Sequence, residues 1–139
     1  MDGKKMTYED GSFDCIIDKA CLDSILCGEN SAPNSKLMLD EIYRVLSPNG
    51  VYICVSYGLP EMRNIYFNKY DWKSSLQKVA KPTVSVKKVI EELEKKEVEN
   101  FHFIYILKKD GPEAPPVVPE EEEEAWIHRF ITVFITNKL

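Results

Sequence analysis

Apolar residues recur along this chain in two rhythms, and the alternation between them sets out the expected elements. The first block is FDCIID, where Phe13, Cys15, Ile16 and Ile17 form a short apolar run with polar residues on either side. A near-continuous run of this kind suits a central strand of a sheet covered on both faces. In ACLDSIL the spacing changes, and Cys21, Leu22, Ile25 and Leu26 fall at helical intervals. CGENSAPNS follows and reads as a loop from its Gly, Asn, Ser and Pro content. SKLMLDEIYRVL then places Met38, Ile42, Val45 and Leu46 on one helical face, with Asn34 or Ser35 as the cap and Pro48, Asn49 and Gly50 as the stop. GVYICVSYG is rich in β-branched and aromatic residues and predicts a second strand. Two buried strands joined by a helix make a right-handed crossover of a parallel sheet.

Beyond Pro60 the segments are shorter. PEMRNIYFNKY predicts a short helix and DWKSSLQKVAK a strand. SVKKVIEELEKKEVE carries Val86, Val89, Ile90 and Leu93 on one side, with Glu91/Lys95 and Glu92/Lys96 four apart, which predicts an amphipathic helix. NFHFIYILKK alternates His102, Ile104 and Ile106 against Phe103, Tyr105 and Leu107, as a strand does. Residues 111–124 hold four prolines and five consecutive glutamates and read as an extended linker. Residues 125–139, AWIHRFITVFITNKL, are apolar enough to dock, with FITVFIT alternating.

Composition narrows the function classes. A chain of 139 residues suits one ordinary domain. The net charge of -5 argues against a nucleic-acid footprint. No apolar stretch is long enough to span a membrane, and the opening residues MDGKKMTYEDG have no leader pattern, so the expected location is cytoplasmic. Cys15, Cys21, Cys27 and Cys54 form no C-x-x-C pair, and only His102 and His128 are available beside them, so buried reduced thiols are expected and no metal site.

Candidate chemistry sits where strands end. In open α/β sheets ligands bind outside the carboxyl ends of the strands. Asp18 and Lys19 follow the first strand, and Ser56, Tyr57 and Gly58 follow the second. The plainer account is that Asp18 caps the next helix while Lys19 is solvated.

The order DGSFDCI, DKACLD and EIYRVLSPNG resembles the second half of a seven-strand, class I S-adenosylmethionine-dependent methyltransferase. In that superfamily D-G-S-F-D-x-[IV] enters the fourth strand and E-x-x-R-V-L-x-P-G-G leads into the fifth. Asn49 here replaces the first glycine of the pair. D-K-[GA]-x-L-D, at Asp18 to Asp23, is similar to the group around the methyltransferase-like 13 proteins and the endothelin-converting-enzyme-2-like methyltransferase, whose members methylate lysines, notably in elongation factor 1A. The resemblance covers residues 1–110, with an insertion around 82–99. It implies an α/β fold equal to the C-terminal half of a Rossmann-like methyltransferase sheet: two parallel strands, then an antiparallel hairpin with a helical insertion. It implies S-adenosyl-L-methionine as cofactor and a protein lysine as acceptor. Asp2 takes the place of the family's acid that faces the adenine amino group, and the Gly3 N–H can donate to a ring nitrogen. Lys19 matches the lysine beside the cofactor, and Asp18 is the candidate for steering a substrate amine. The loop from Tyr57 onward borders the substrate channel, with Tyr70 and Trp72 as aromatic walls or as core.

The family's glycine-rich turn after strand one and acid after strand two have no counterpart among these residues. Because strand four pairs with strand one in such a sheet, the CII strand is expected to present an apolar edge. Three accounts follow: a fragment of a longer enzyme, which is favoured; a chain that pairs this edge with a second copy; or a non-catalytic interaction module that uses the edge or the 125–139 segment.

Overall fold

The computed structural model describes residues 2–80 and 101–112 with their side chains, and the backbone of Phe130–Val133. The order is β1 (Phe13–Lys19), α1 (Cys21–Cys27), α2 (Ser31–Val45), β2 (Leu46–Ser56), α3 (Pro60–Phe67), β3 (Trp72–Ala80), β4 (Phe101–Lys109) and β5 (Phe130–Val133). They form one five-stranded sheet in the order β3-β4-β2-β1-β5. β1 and β2 are parallel, with Ile16 opposite Tyr52 and Asp18 opposite Cys54. β4 runs antiparallel to both β2 and β3. The expected mixed α/β sheet, two parallel strands followed by an antiparallel hairpin, is the one observed. The helix expected over 85–99 lies outside the described residues, as do residues 113–124 of the linker expected over 111–124.

The period-two pattern of the strands decides what the sheet buries. Ile16, Tyr52, Cys54, Phe103, Tyr105 and Leu107 point to one side and are buried. Leu22 of α1, Met38, Leu39, Ile42 and Val45 of α2, and Phe67 of α3 join them in a single core. Phe67 packs on Tyr52 and Tyr105, with ring centroids 6.3 and 5.2 Å apart. The opposite row, Cys15, Ile17, Val51, Ile53, Val55, Ile104 and Ile106, is half-buried. The described helices therefore cover one face, whereas the unbroken apolar run of β1 had predicted cover on both.

Three boundaries moved. α2 starts at Ser31, because Pro33 falls in its first turn, where a missing N–H costs nothing. Neither Asn34 nor Ser35 is its cap; the Asn34 amide instead donates to the Glu29 carbonyl at 3.1 Å. The helix ends at Val45 and the strand begins directly at Leu46, ahead of the Pro48-Asn49-Gly50 stop. Asn49 itself has φ 64°, in the left-handed region that a glycine tolerates best and asparagine next.

The edge of β1 is taken by this same chain. β5 runs parallel to it, pairing Cys15–Asp18 with Phe130–Val133. It occupies the position that strand one holds in the sheet the sequence resembles. The expectation of a bare apolar edge is thus corrected: the C-terminal segment satisfies its hydrogen bonds over four residue pairs. Pairing of that edge with a second copy would first have to remove β5.

Candidate functional site

The carboxyl ends of the parallel strands, at Lys19 and Ser56, share one rim. His102 reaches the same rim because β4 runs the other way, with Ser56 opposite Phe103. The Tyr57 and His102 rings meet there at 4.8 Å.

Asp18 is spent inside the fold. It is 2% exposed. Its Oδ1 accepts the Cys21 N–H at 2.7 Å, and its Oδ2 accepts the Leu22 N–H at 3.1 Å and the Tyr52 hydroxyl at 2.9 Å. These bonds satisfy two of the donors that open α1, whose entry residue Ala20 sits at φ 62° and offers no side-chain cap. Burial raises the Asp18 pKa, the Tyr52, Cys21 and Leu22 bonds pull it back, and the Asp23 charge adds to the rise. The capping role engages both oxygens, and burial at 2% exposure keeps them from a substrate amine.

Lys19 is exposed at the end of β1. Consecutive strand residues face opposite sides, so the sheet separates Lys19 from Asp18. Asp2 is exposed, and its Oδ1 accepts the Lys4 N–H at 3.0 Å. Its charge helps push the Cys21 thiol up to about 12, behind burial and the Asp18 charge. Gly3 is buried. Met6, four residues after Asp2, lines a small cavity with Asp18 and Cys21, so the segment that carries Asp2 and Gly3 is seated beside the β1–α1 turn, while Lys19 ends β1 on the opposite face of the sheet from Asp18. Tyr70 and Trp72 belong to the core: they pack on Tyr43 at 5.3 and 4.8 Å, and Trp72 Nε1 donates to the Phe67 carbonyl at 2.9 Å.

Two clusters were not singled out in the sequence, one at this rim and one at the amino ends of β1 and β2. Asp23 and Arg63 form a buried ion pair at 2.8 Å. The Asp23 carboxylate also accepts the Ser56 hydroxyl and, at 2.8 Å, the Tyr57 N–H. Arg63 Nε and the Gly58 N–H both donate to Ser56 Oγ, at 2.9 and 3.0 Å. The loop after β2 is thereby held to α1 and α3. In the second cluster, Glu41 and Arg44 of α2 hold the segment before β1, and Glu41 accepts the Met6 N–H at 2.6 Å. Asp23 closes the DKACLD motif, and the i,i+3 spacing of Glu41 and Arg44 was in plain view; their partners, thirty or more residues away, were not. Of the thiols, Cys21 and Cys54 are buried, Cys15 is half-buried, and Cys27 is exposed, contrary to the expectation of burial.

Two parallel strands joined by helices and followed by an antiparallel hairpin make the framework of a class I methyltransferase half-sheet. The methyltransferase domain family matches residues 2–111, and the chain belongs to that family, whose cofactor is S-adenosyl-L-methionine. It is 30% identical over 82 residues to mouse EEF1A lysine methyltransferase 4, covering 52% of this chain and 32% of that protein. It is 31% identical over 85 residues to the human eEF1A lysine and N-terminal methyltransferase, covering 58% of this chain and 12% of that protein. Each alignment thus spans a third or less of the relative's length. Among solved structures, the S-adenosyl-L-methionine complex of a protein assigned as a DNA modification methylase from Thermus thermophilus superimposes with TM-score 0.60 at 14% identity, over 84% of this chain and 56% of that one. A methyltransferase from Methanosarcina mazei gives 0.51 at 14% identity, over 79% and 65%. At these identities the likeness is one of fold.

Proposed function

We propose that the chain carries the adenine edge and the acceptor rim of a methyltransferase that modifies a protein lysine. One observation supports this reading: the segment that carries Asp2 and Gly3 is seated through Met6 beside Asp18 and Cys21, at the carboxyl end of β1 where a parallel sheet binds its ligands. The lysine acceptor is supported by the names of the two relatives above. S-adenosyl-L-methionine, when bound, supplies an electrophilic sulfonium methyl.

The work left to the residues is modest. The Asp2 carboxylate would accept from the exocyclic adenine N–H, and the Gly3 N–H would donate to a ring nitrogen. Lys19, at the end of β1, would border the cofactor. Methyl transfer is an in-line displacement, so the gain comes from positioning and from excluding water. The acceptor lysine must arrive neutral, which desolvation or a nearby acceptor favours. No general base is assigned. The G-x-G turn that holds the methionine part in such enzymes is not among these 139 residues.

The test is calorimetric titration of the chain with S-adenosyl-L-methionine, alongside Asp2→Ala. Saturable binding weakened by the substitution supports the assignment. Binding that is absent, or indifferent to Asp2, removes it.

A further inference from the structure

Arg44 has five N–H donors, and all five are used. Nε donates to Glu41 Oε1 at 2.8 Å, and Nη2 to Glu41 Oε2 at 3.0 Å and to the Met6 carbonyl at 3.2 Å. Nη1 donates to the Tyr8 carbonyl at 2.8 Å and to Asp10 Oδ1 at 2.6 Å. Glu41 Oε2 also takes the Met6 N–H, so the Met6 peptide is held at both its donor and its acceptor. The Gly11 N–H closes the loop on the Arg44 carbonyl at 3.0 Å. Met6 is buried beside Ile16, Asp18, Cys21, Met38 and Ile42. From this anchor the chain reaches Asp2 through a single turn, in which the Lys5 N–H donates to the Asp2 carbonyl at 3.1 Å.

We infer that Glu41 and Arg44 are positioning residues for the cofactor: they fix the 2–11 segment against α2, with Met6 beside Asp18 and Cys21, and so set where Asp2 and Gly3 stand. The inference rests on the reading of Asp2 as the adenine-facing acid. The segment has no helix or strand of its own before Phe13. Its backbone groups at Met6 and Tyr8 find partners in these two side chains, and only a planar guanidinium addresses a carboxylate and two carbonyls at once. A lysine at position 44 keeps the charge and loses the fork.

The experiment uses the full chain and four variants: Arg44→Lys, Glu41→Gln, Asp2→Ala, and Leu107→Val as a stability control on β4, away from the segment. Melting temperature, hydrogen exchange at the Met6 amide, and affinity for S-adenosyl-L-methionine are read for each. The expected result is about tenfold or greater loss of affinity in Arg44→Lys and Glu41→Gln, as for losing charge-assisted bonds. Met6 exchange should quicken in both, and Leu107→Val should lower the melting temperature with affinity intact. If Arg44→Lys and Glu41→Gln bind as tightly as the parent while Asp2→Ala does not, the positioning role is overturned and the adenine assignment stands. If the parent chain itself does not bind, the functional reading fails and the inference goes with it.

Discussion

Arg63→Ala should be among the most damaging single changes at the rim. The Arg63 and Asp23 side chains are 10% and 12% exposed, and the guanidinium bonds both the carboxylate and Ser56 Oγ. Removing one member of such a pair strands the other charge away from water, at a cost of about 3–5 kcal/mol. For a domain of this size that lowers the melting temperature by roughly 10–20 °C. Urea denaturation followed by circular dichroism measures it, with the slope expected to stay constant. The comparison is Lys36→Ala, which breaks an exposed pair with Asp40 at 2.5 Å and should cost about 0.5 kcal/mol or less. A second arm uses Gly58, where an added Cβ would lie 2.1 Å from the Arg63 guanidinium carbon. Gly58→Ala should destabilise the parent and add little once Arg63 is alanine, a coupling that a double-mutant cycle isolates. An Arg63→Ala loss no larger than that of Lys36→Ala, or a Gly58 effect independent of residue 63, would refute the reasoning.

Other consequences are as direct. Ala20 holds φ 62°, so Ala20→Gly should gain up to about 1 kcal/mol in the same denaturation assay, the strain relieved outweighing the added freedom of the unfolded chain. Glu41 is held near a pKa of about 2, first by the Arg44 bonds and then by the Met6 N–H. A depressed carboxylate contributes stability that is full above its unfolded value near 4.5 and is lost as pH falls toward 2. Glu41→Gln should therefore flatten the stability profile between those two pH values, and an unchanged slope would count against the contact. Asp18, raised by burial, works in the opposite direction, since its protonation on acidification favours the folded state. Iodoacetamide followed by mass spectrometry should mark Cys27 first, while Cys21 and Cys54, buried and with thiol pKa values pushed up, stay unmodified until the chain unfolds. Proline at both 131 and 132 removes adjacent N–H groups from β5, one of which faces β1. Sedimentation should then show larger species as the β1 edge opens.

Local rules carried far because they act over a few residues. Strand and helix periods placed β1, α1, α2, β2, β3 and β4 in order, since 3.6- and 2-residue repeats report which side of an element must leave water. The DGSFD and E-x-x-R-V-L motifs pointed to the methyltransferase framework for a similar reason: they mark a strand entry and a helix exit, both local events. The end of α2 was misplaced because Leu46 fits a helical face and a buried strand equally well, and only its neighbours in the sheet choose. The same limit applies to Asp18. A carboxylate at a strand's end is compatible with a solvent rim, and its burial follows from Tyr52, thirty-four residues on, delivering a hydroxyl to it.

What the sequence determined by itself, then, was the order of elements from β1 to β4 among the described residues, the mixed sheet and the family, because each rests on patterns within one element or one turn. Tertiary structure alone decided which distant groups meet. It seated Arg63 on Asp23 and spent every donor of Arg44 on the segment carrying Asp2 and on Glu41, which holds that segment too. It also laid Phe130–Val133 along β1, more than a hundred residues away in the chain. A strand edge accepts any backbone of suitable direction, since its hydrogen bonds carry no side-chain code, and so no pattern within either segment announces the pairing.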